Sequence, residues 1–133
     1  MKKITVISLL VLATASCKKT TSVLPSPRQL ILGSWTLKSM EIKQLKKDIL
    51  IKDTVINAVE KSSLDFMSND SVTLNTGGLS ITSNYGLIGN QVLLIGDAQF
   101  HIITLNAKQL SYLFSATFSN DTTAQAMLTY TKN

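Results

Sequence analysis

From Trp35 to the C-terminus, apolar side chains recur mostly at every second position, in short runs separated by turn residues. A period of two places successive side chains on opposite faces of a β-strand, whereas a helix repeats every 3.6 residues. In the clearest run, mainly Ser and Thr alternate with an apolar face formed by Leu110, Tyr112, Phe114, Ala116 and Phe118. This alternation indicates an all-β protein in which most strands have one buried face.

Turn signals divide this region into about eight strands. They include Gly77-Gly78, Gly89-Asn90, Gly96-Asp97 and Asn120-Asp121. Short turns of this kind connect antiparallel neighbours, so consecutive strands are expected to pair in order. An open sheet would leave two long unpaired edges, and closure removes them. The predicted fold is therefore an eight-stranded antiparallel up-and-down β-barrel.

Two places depart from simple alternation. The apolar phase shifts by one residue near Ser39, between Leu37 and Met40, which predicts a β-bulge. The segment from Asp48 to Val59 fits neither period cleanly. Its β-branched residues favour a strand and its return, and a short helix remains an alternative.

The N-terminus has the features of a secretory signal peptide. Lys2 and Lys3 precede an apolar stretch from 4 to 13, and small residues follow at 14 to 16 before Cys17. The stretch is too short for a transmembrane helix. Thr14-Ala15-Ser16-Cys17 resembles the lipobox of bacterial lipoproteins, although Thr14 stands where Leu, Val or Ile is usual. An alternative is a plain secreted protein with Cys17 as a free thiol or a core residue.

The lipoprotein resemblance implies a domain order and a location. Residues 1–16 would be the signal peptide, residues 17–29 the lipidated Cys17 with a Pro-containing tether, and residues 30–133 the barrel. Acyl chains on Cys17 would anchor the protein to a membrane of the cell envelope. The absence of acidic residues directly after Cys17 resembles lipoproteins that stay at the outer membrane.

Composition limits the functional classes. A chain of 133 residues fits one domain. The net charge of +5 includes Lys2 and Lys3 of the signal peptide, and the remaining 11 basic against 8 acidic side chains give no argument for a nucleic-acid partner. A single Cys excludes an intramolecular disulfide and a zinc site built on two or more Cys.

No pattern indicates catalysis. His101 is the single histidine, no Ser lies in a Gly-x-Ser-x-Gly turn, and Gly77-Gly78 lacks the Lys of a phosphate-binding loop. We therefore expect neither an enzyme nor a metal or cofactor.

The start of the first strand resembles the lipocalin family, and more closely the lipocalin-like domains of bacterial lipoproteins. Ile31-Leu32-Gly33-Ser34-Trp35 is similar to their L-x-G-x-W motif, and the segments 66–70 and 85–90 are similar to later motifs. The resemblance implies that Trp35 packs across one closed barrel end, often beneath an Arg from the last strand. Here the last strand offers Lys132, and Arg28 is a possible substitute from the N-terminal side.

Two functions follow as expectations. The first is a lipid-anchored module that binds a small apolar ligand or lipid inside the barrel, favoured by a cavity above about 300 Å³. The second is a non-enzymatic structural or interaction lipoprotein that docks an envelope protein or glycan, favoured by a filled interior and an exposed apolar patch. The candidate interior or ligand-contacting residues are Trp35, Tyr85, Phe100, Tyr112, Phe114, Phe118, Leu128 and Tyr130.

Overall fold

A computed structural model describes residues 23–57 and 61–133 of the chain. These ranges contain one short helix and nine β-strands. Their bounds are α1 Pro27–Ile31, β1 Gly33–Lys46, β2 Ile49–Asn57, β3 Ser63–Phe66, β4 Ser71–Thr76, β5 Leu79–Ile88, β6 Val92–Ile95, β7 Ala98–Leu105, β8 Gln109–Ser119 and β9 Thr122–Lys132. None of the helical structure in the two ranges is long and apolar enough to cross a membrane.

Eight of the strands form a closed barrel. The order is β1-β3-β4-β5-β6-β7-β8-β9, and β9 pairs with β1 to complete the circle. Every pairing is antiparallel. The eight-stranded up-and-down barrel predicted from the alternation is confirmed, with β2 as an additional strand.

Along one edge, β1 pairs with two different strands. Its first residues, Gly33 to Thr36, pair with β3, whereas Ser39 to Lys46 pair with β2. The register along β9 shifts between Leu37 and Ser39, which confirms the predicted bulge. The expected pairing of consecutive strands fails here, because β3 pairs with β1 and not with β2. We refer to β2 together with residues 39–46 of β1 as the projection.

The ambiguous segment is resolved in favour of a strand from Ile49 to Asn57. Residues 58–60 lie outside the described ranges.

Helix α1 covers one end of the barrel, which we call the closed end. Ser26 caps the helix: its Oγ accepts from the Gln29 amide, and its own amide donates to Gln29 Oε1 at 2.9 Å. Pro27 occupies the first turn, where its missing N–H has no helical partner to lose. The helix begins three residues before the predicted domain boundary at Leu30.

The buried core lies towards the closed end. Its largest fully buried member is Trp35. On the inward-facing side of the opposite end, which we call the open end, apolar residues such as Leu79 and Ile81 remain exposed. The full buried apolar set is Ile31, Trp35, Leu64, Phe66, Val72, Tyr85, Leu93, Ile102, Leu110, Tyr112 and Tyr130.

Candidate functional site

The barrel encloses a partly open cavity of about 320 Å³. Residues from β1 and from β3 to β9 contribute to its wall, and most of its surface is apolar. The lining residues are Leu37, Ser62, Leu64, Val72, Leu74, Thr76, Ile81, Ser83, Ile95, Phe100, Tyr112, Leu128 and Tyr130. The barrel is therefore hollow near its open half rather than filled throughout.

The strand register explains why the lining continues to the rim. In β4, Leu74 and Thr76 lie on the cavity face, and their antiparallel partners in β5 are Ile81 and Leu79. Directly opposed residues of an antiparallel pair point to the same face. Exposed Leu79 therefore extends the apolar surface beyond the cavity itself.

Between β5 and β8 the barrel wall extends the shortest distance towards the open end. β6 has only four residues, so it pairs with β5 from Tyr85 onward and leaves residues 79–83 without it. On the other side, the pairing of β7 with β8 ends at Leu113, and residues 114–119 of β8 continue beyond it. Among the described residues, these two strand edges have no partner facing the gap. The gap gives a lateral entrance above the β6–β7 turn.

Two tyrosine hydroxyls form a buried polar pair on the lining. Tyr112 Oη and Tyr130 Oη are 3.1 Å apart, and the two rings stack with their centroids at 5.6 Å. Phe100 packs against the Tyr112 ring at 4.9 Å. Burial raises the pKa of both phenols, and the neighbouring Tyr130 raises the pKa of Tyr112 further. Both hydroxyls are therefore neutral at physiological pH.

The remaining polar groups of the lining are small hydroxyls. Ser62 Oγ and Thr76 Oγ1 lie 2.7 Å apart and are partly exposed. Within the part of the chain that the structure describes, no charged side chain lines the cavity. The cavity is thus chemically suited to a neutral, mainly apolar molecule.

Four of the eight candidate interior residues line the cavity, namely Phe100, Tyr112, Leu128 and Tyr130. Phe114 lies beyond them at the rim of the open end, with its ring 5.7 Å from that of Phe100.

Two further candidates, Trp35 and Tyr85, are buried at the closed end. Trp35 Nε1 donates to the Ile31 carbonyl at 2.7 Å. Tyr85 Oη donates to the Met67 carbonyl at 3.2 Å, and its ring meets Phe66 edge-on at 5.0 Å. Both residues stabilise the closed end and lie apart from the cavity lining.

Phe118 is placed differently from its predicted face. The register between β8 and β9 shifts between Thr117 and Ser119, so Phe118 is the extra residue of a bulge. A bulge interrupts the alternation that the sequence pattern assumes. Its side chain is 73% exposed and lies outside the cavity lining.

Sequence reasoning missed the aliphatic and hydroxyl part of the lining because it selected mainly aromatic residues. The alternation in β5 already placed Ile81 and Ser83 on the same face as Tyr85. The missed signal was this shared face, continued across the register onto β4. The residues that it would have added are Leu74, Thr76, Ile81 and Ser83.

The cation over Trp35 is Lys132, from the last strand. Its Nζ lies 5.0 Å from the ring centroid and donates to the Leu30 carbonyl at 2.9 Å. Arg28, the other cation considered from the sequence, pairs instead with Asp70 and donates to the Ser68 carbonyl at 3.2 Å. Lysine thus occupies the position at which the lipocalin resemblance implies arginine.

Other residues considered from the sequence lie away from this cavity or outside the described ranges. His101 is exposed on β7. In residues 23–57 and 61–133, no group of three or more His, Cys, Asp or Glu side chains is arranged to hold a metal ion. Cys17 and the predicted signal peptide, residues 1–16, lie outside the described residues.

No protein-family model and no curated protein sequence matches this chain.

Proposed function

We propose that this protein is a lipid-anchored, lipocalin-like binding protein of the bacterial cell envelope, and that it holds a small apolar ligand or lipid in the barrel. The observation that carries the proposal is the cavity of about 320 Å³ with its mainly apolar, uncharged lining. The closed eight-stranded barrel fits a lipocalin-like fold. The function is binding without catalysis.

The size and chemistry of the cavity support a small ligand. Protein sites for small molecules range from about 300 to 1,000 Å³, so this one is at the lower limit. Each square ångström of apolar ligand surface removed from water contributes about 25 cal/mol. A single hydrocarbon chain or a compact apolar molecule suits such a space better than a lipid with two acyl chains.

The rim supplies a route into the cavity. Leu79, Ile81 and Phe114 are exposed apolar side chains at the open end. They border the same gap between β5 and β8 that opens the wall. A ligand leaving a membrane or a carrier would meet apolar surface before it reached the interior.

The anchoring part of the proposal has its own test. Acylation of Cys17 predicts a membrane-fraction protein whose N-terminal peptide carries the mass of acyl chains and begins at Cys17. A peptide with unmodified Cys17 from the same fraction would contradict lipid anchoring while leaving ligand binding open.

Native mass spectrometry of the protein purified from cells tests ligand binding. We expect a bound small molecule, and we expect Ile81→Trp to reduce its occupancy by filling the cavity entrance. Ile88→Trp is the matched control, since Ile88 is on the same strand, is also 58% exposed, and lies outside the lining. Equal occupancy in both variants would contradict a ligand in this cavity.

One observation favours the second function, docking of an envelope protein or glycan. The projection exposes large apolar side chains along β2, namely Ile49, Leu50, Ile51, Val55 and Ile56. Its outer edge has no partner strand among the described residues. Exposed apolar edge strands are recurrent sites of protein association.

A charge on this edge separates the two functions. We expect Val55→Lys to remove a co-purifying envelope partner if docking is the function, while cavity occupancy stays unchanged. Full partner recovery with Val55→Lys would contradict docking through β2.

A further inference from the structure

The two buried tyrosine hydroxyls have two protons to donate, but only one of these protons has an acceptor in the protein. A phenol donates one hydrogen bond and can also accept. Tyr112 and Tyr130 together carry two hydroxyl protons, and their mutual hydrogen bond uses one of them. In residues 23–57 and 61–133, neither Oη makes any other hydrogen bond to the protein. One hydroxyl proton of the pair is therefore left without a protein acceptor.

The location of this proton makes it relevant to a ligand. Tyr112 and Tyr130 are 5% and 2% exposed, and both line the cavity. A buried donor without an acceptor raises the free energy of the protein, so such groups are rarely left unpaired. An acceptor carried by a molecule in the cavity would satisfy it.

The surroundings restrict the kind of acceptor. No charged side chain from the described residues lines the cavity, so a buried carboxylate or phosphate would have no counter-ion. Burial also raises the pKa of both phenols, because the same surroundings disfavour negative charge. A neutral oxygen meets the hydrogen-bonding need without that cost.

We propose that the ligand is a neutral, mainly hydrocarbon molecule with a carbonyl or ether oxygen that accepts a hydrogen bond from the Tyr112–Tyr130 pair. This inference rests on the proposed function, since it specifies the chemistry of the ligand in the same cavity.

A second hydroxyl pair provides an internal control. Ser62 and Thr76 also line the cavity and hydrogen-bond to each other at 2.7 Å. They are partly exposed, so water can satisfy their remaining donor. The free-energy gain from a ligand oxygen is therefore smaller at this pair than at the tyrosines.

The test compares the binding of two small apolar compounds that differ in one group; we call them the two probes, as distinct from the fluorescent reporter that they displace. Methyl nonyl ketone is matched with its methylene isostere, in which C=CH₂ replaces C=O. The dissociation constant of each compound is measured by its displacement of the fluorescent reporter N-phenylnaphthylamine from the full-length chain. Because the shapes agree, a variant that removes the hydrogen bond should weaken the ketone selectively.

We expect Tyr112→Phe/Tyr130→Phe to weaken ketone binding by about 3- to 10-fold relative to the isostere. Each single Tyr→Phe variant keeps one phenol proton, so it should retain most of the ketone affinity. Ser62→Ala/Thr76→Val should leave the ratio of the two affinities unchanged. A purely structural role for the tyrosines would affect both probes alike.

A spectroscopic measurement on the unmodified protein is independent of the variants. The carbonyl stretch of bound methyl nonyl ketone should lie at lower frequency than in hexane, because hydrogen bonding weakens the C=O bond. A stretch equal to that in hexane would overturn the inference.

The outcomes separate this inference from the proposed function. If the isostere binds and the double variant leaves the affinity ratio unchanged, the acceptor requirement is wrong and apolar binding stands. If neither probe binds the unmodified protein, both the proposed cavity function and this inference are wrong.

Discussion

The two ends of the barrel use the same alternating pattern with opposite results. At the closed end, Trp35 of β1 is fully buried, as is Ile31, the last residue of α1. At the open end, Leu79 and Ile81 lie on the same cavity-facing side of the wall but stay exposed. The difference shows that alternation assigns a residue to a face, whereas burial requires something to cover that face.

Replacing an aromatic residue at each end should give the largest contrast. Trp35→Ala should lower the free energy of unfolding by about 3–5 kcal/mol, because it removes a fully buried ring and leaves a cavity. Phe118→Ala, at an exposed bulge, should change it by about 0.5 kcal/mol or less. Denaturant titration measures both, and similar losses would contradict the assignment of the core to the closed end.

Gly33→Ala tests the start of β1 at the closed end. Gly33 has φ +113°, and an added Cβ would lie 3.2 Å from Lys132 Cε. We expect a loss of about 2 kcal/mol in the free energy of unfolding. Gly78→Ala, with φ +81° but open space around the Cβ, is the matched control for backbone strain alone. Equal losses would show that contact with Lys132 adds nothing.

Alkaline pH should lower the free energy of unfolding through the two tyrosines buried in the barrel interior, between the closed and open ends. Burial raises the folded-state pKa of Tyr112 and Tyr130, whereas phenols in the unfolded chain ionise at about pH 10. Above that pH the unfolded state binds fewer protons than the folded state does, so the free energy of unfolding falls as the pH rises. Burial therefore makes both tyrosines lower the free energy of unfolding as the pH rises above about 10.

Tyr112→Phe/Tyr130→Phe should remove most of this alkaline loss, measured by denaturant titration from neutral pH upward. An unchanged pH dependence in the double variant would contradict the assignment to these two groups.

The smallest expected effect concerns the lysine over Trp35. Lys132→Met should lower the free energy of unfolding by about 1 kcal/mol, because it removes the cation–π contact and the hydrogen bond to the Leu30 carbonyl. Lys46→Met, at an exposed position near the end of β1, is the control and should be near neutral. Thermal unfolding of the two variants should differ, and coincident curves would argue against this contact as a stabiliser of the closed end.

Much of the architecture follows from local pattern. The alternation after Trp35 and the turn glycines predicted an eight-stranded barrel, and the phase shift near Ser39 predicted the bulge in β1. The partner of β3 did not follow, because the choice between β1 and β2 depends on contacts between segments distant in sequence. The segment 48–59 had the same difficulty: its β-branched residues favoured a strand, but not its place beside the outer half of β1.

The candidate site was only partly predictable. Tyr112, Leu128 and Tyr130 were assigned to the interior because strong alternation surrounds them, and they line the cavity. Phe118 continues the same pattern, yet the bulge in β8 removes it from the lining. Unlike the bulge in β1, the bulge in β8 is not marked by a phase shift in the apolar pattern, so it is visible only in the pairing of β8 with β9.

By itself the sequence determined the strand class, most turns, and which side chains share a face, because a two-residue period and glycine turns are local properties of the backbone. The tertiary structure alone decided that one end is covered and the other hollow. Hollowness depends on the distance between opposite walls and on the volumes of the side chains that meet there. Those side chains come from strands far apart in the chain, so no local pattern records whether they touch or leave a cavity of about 320 Å³.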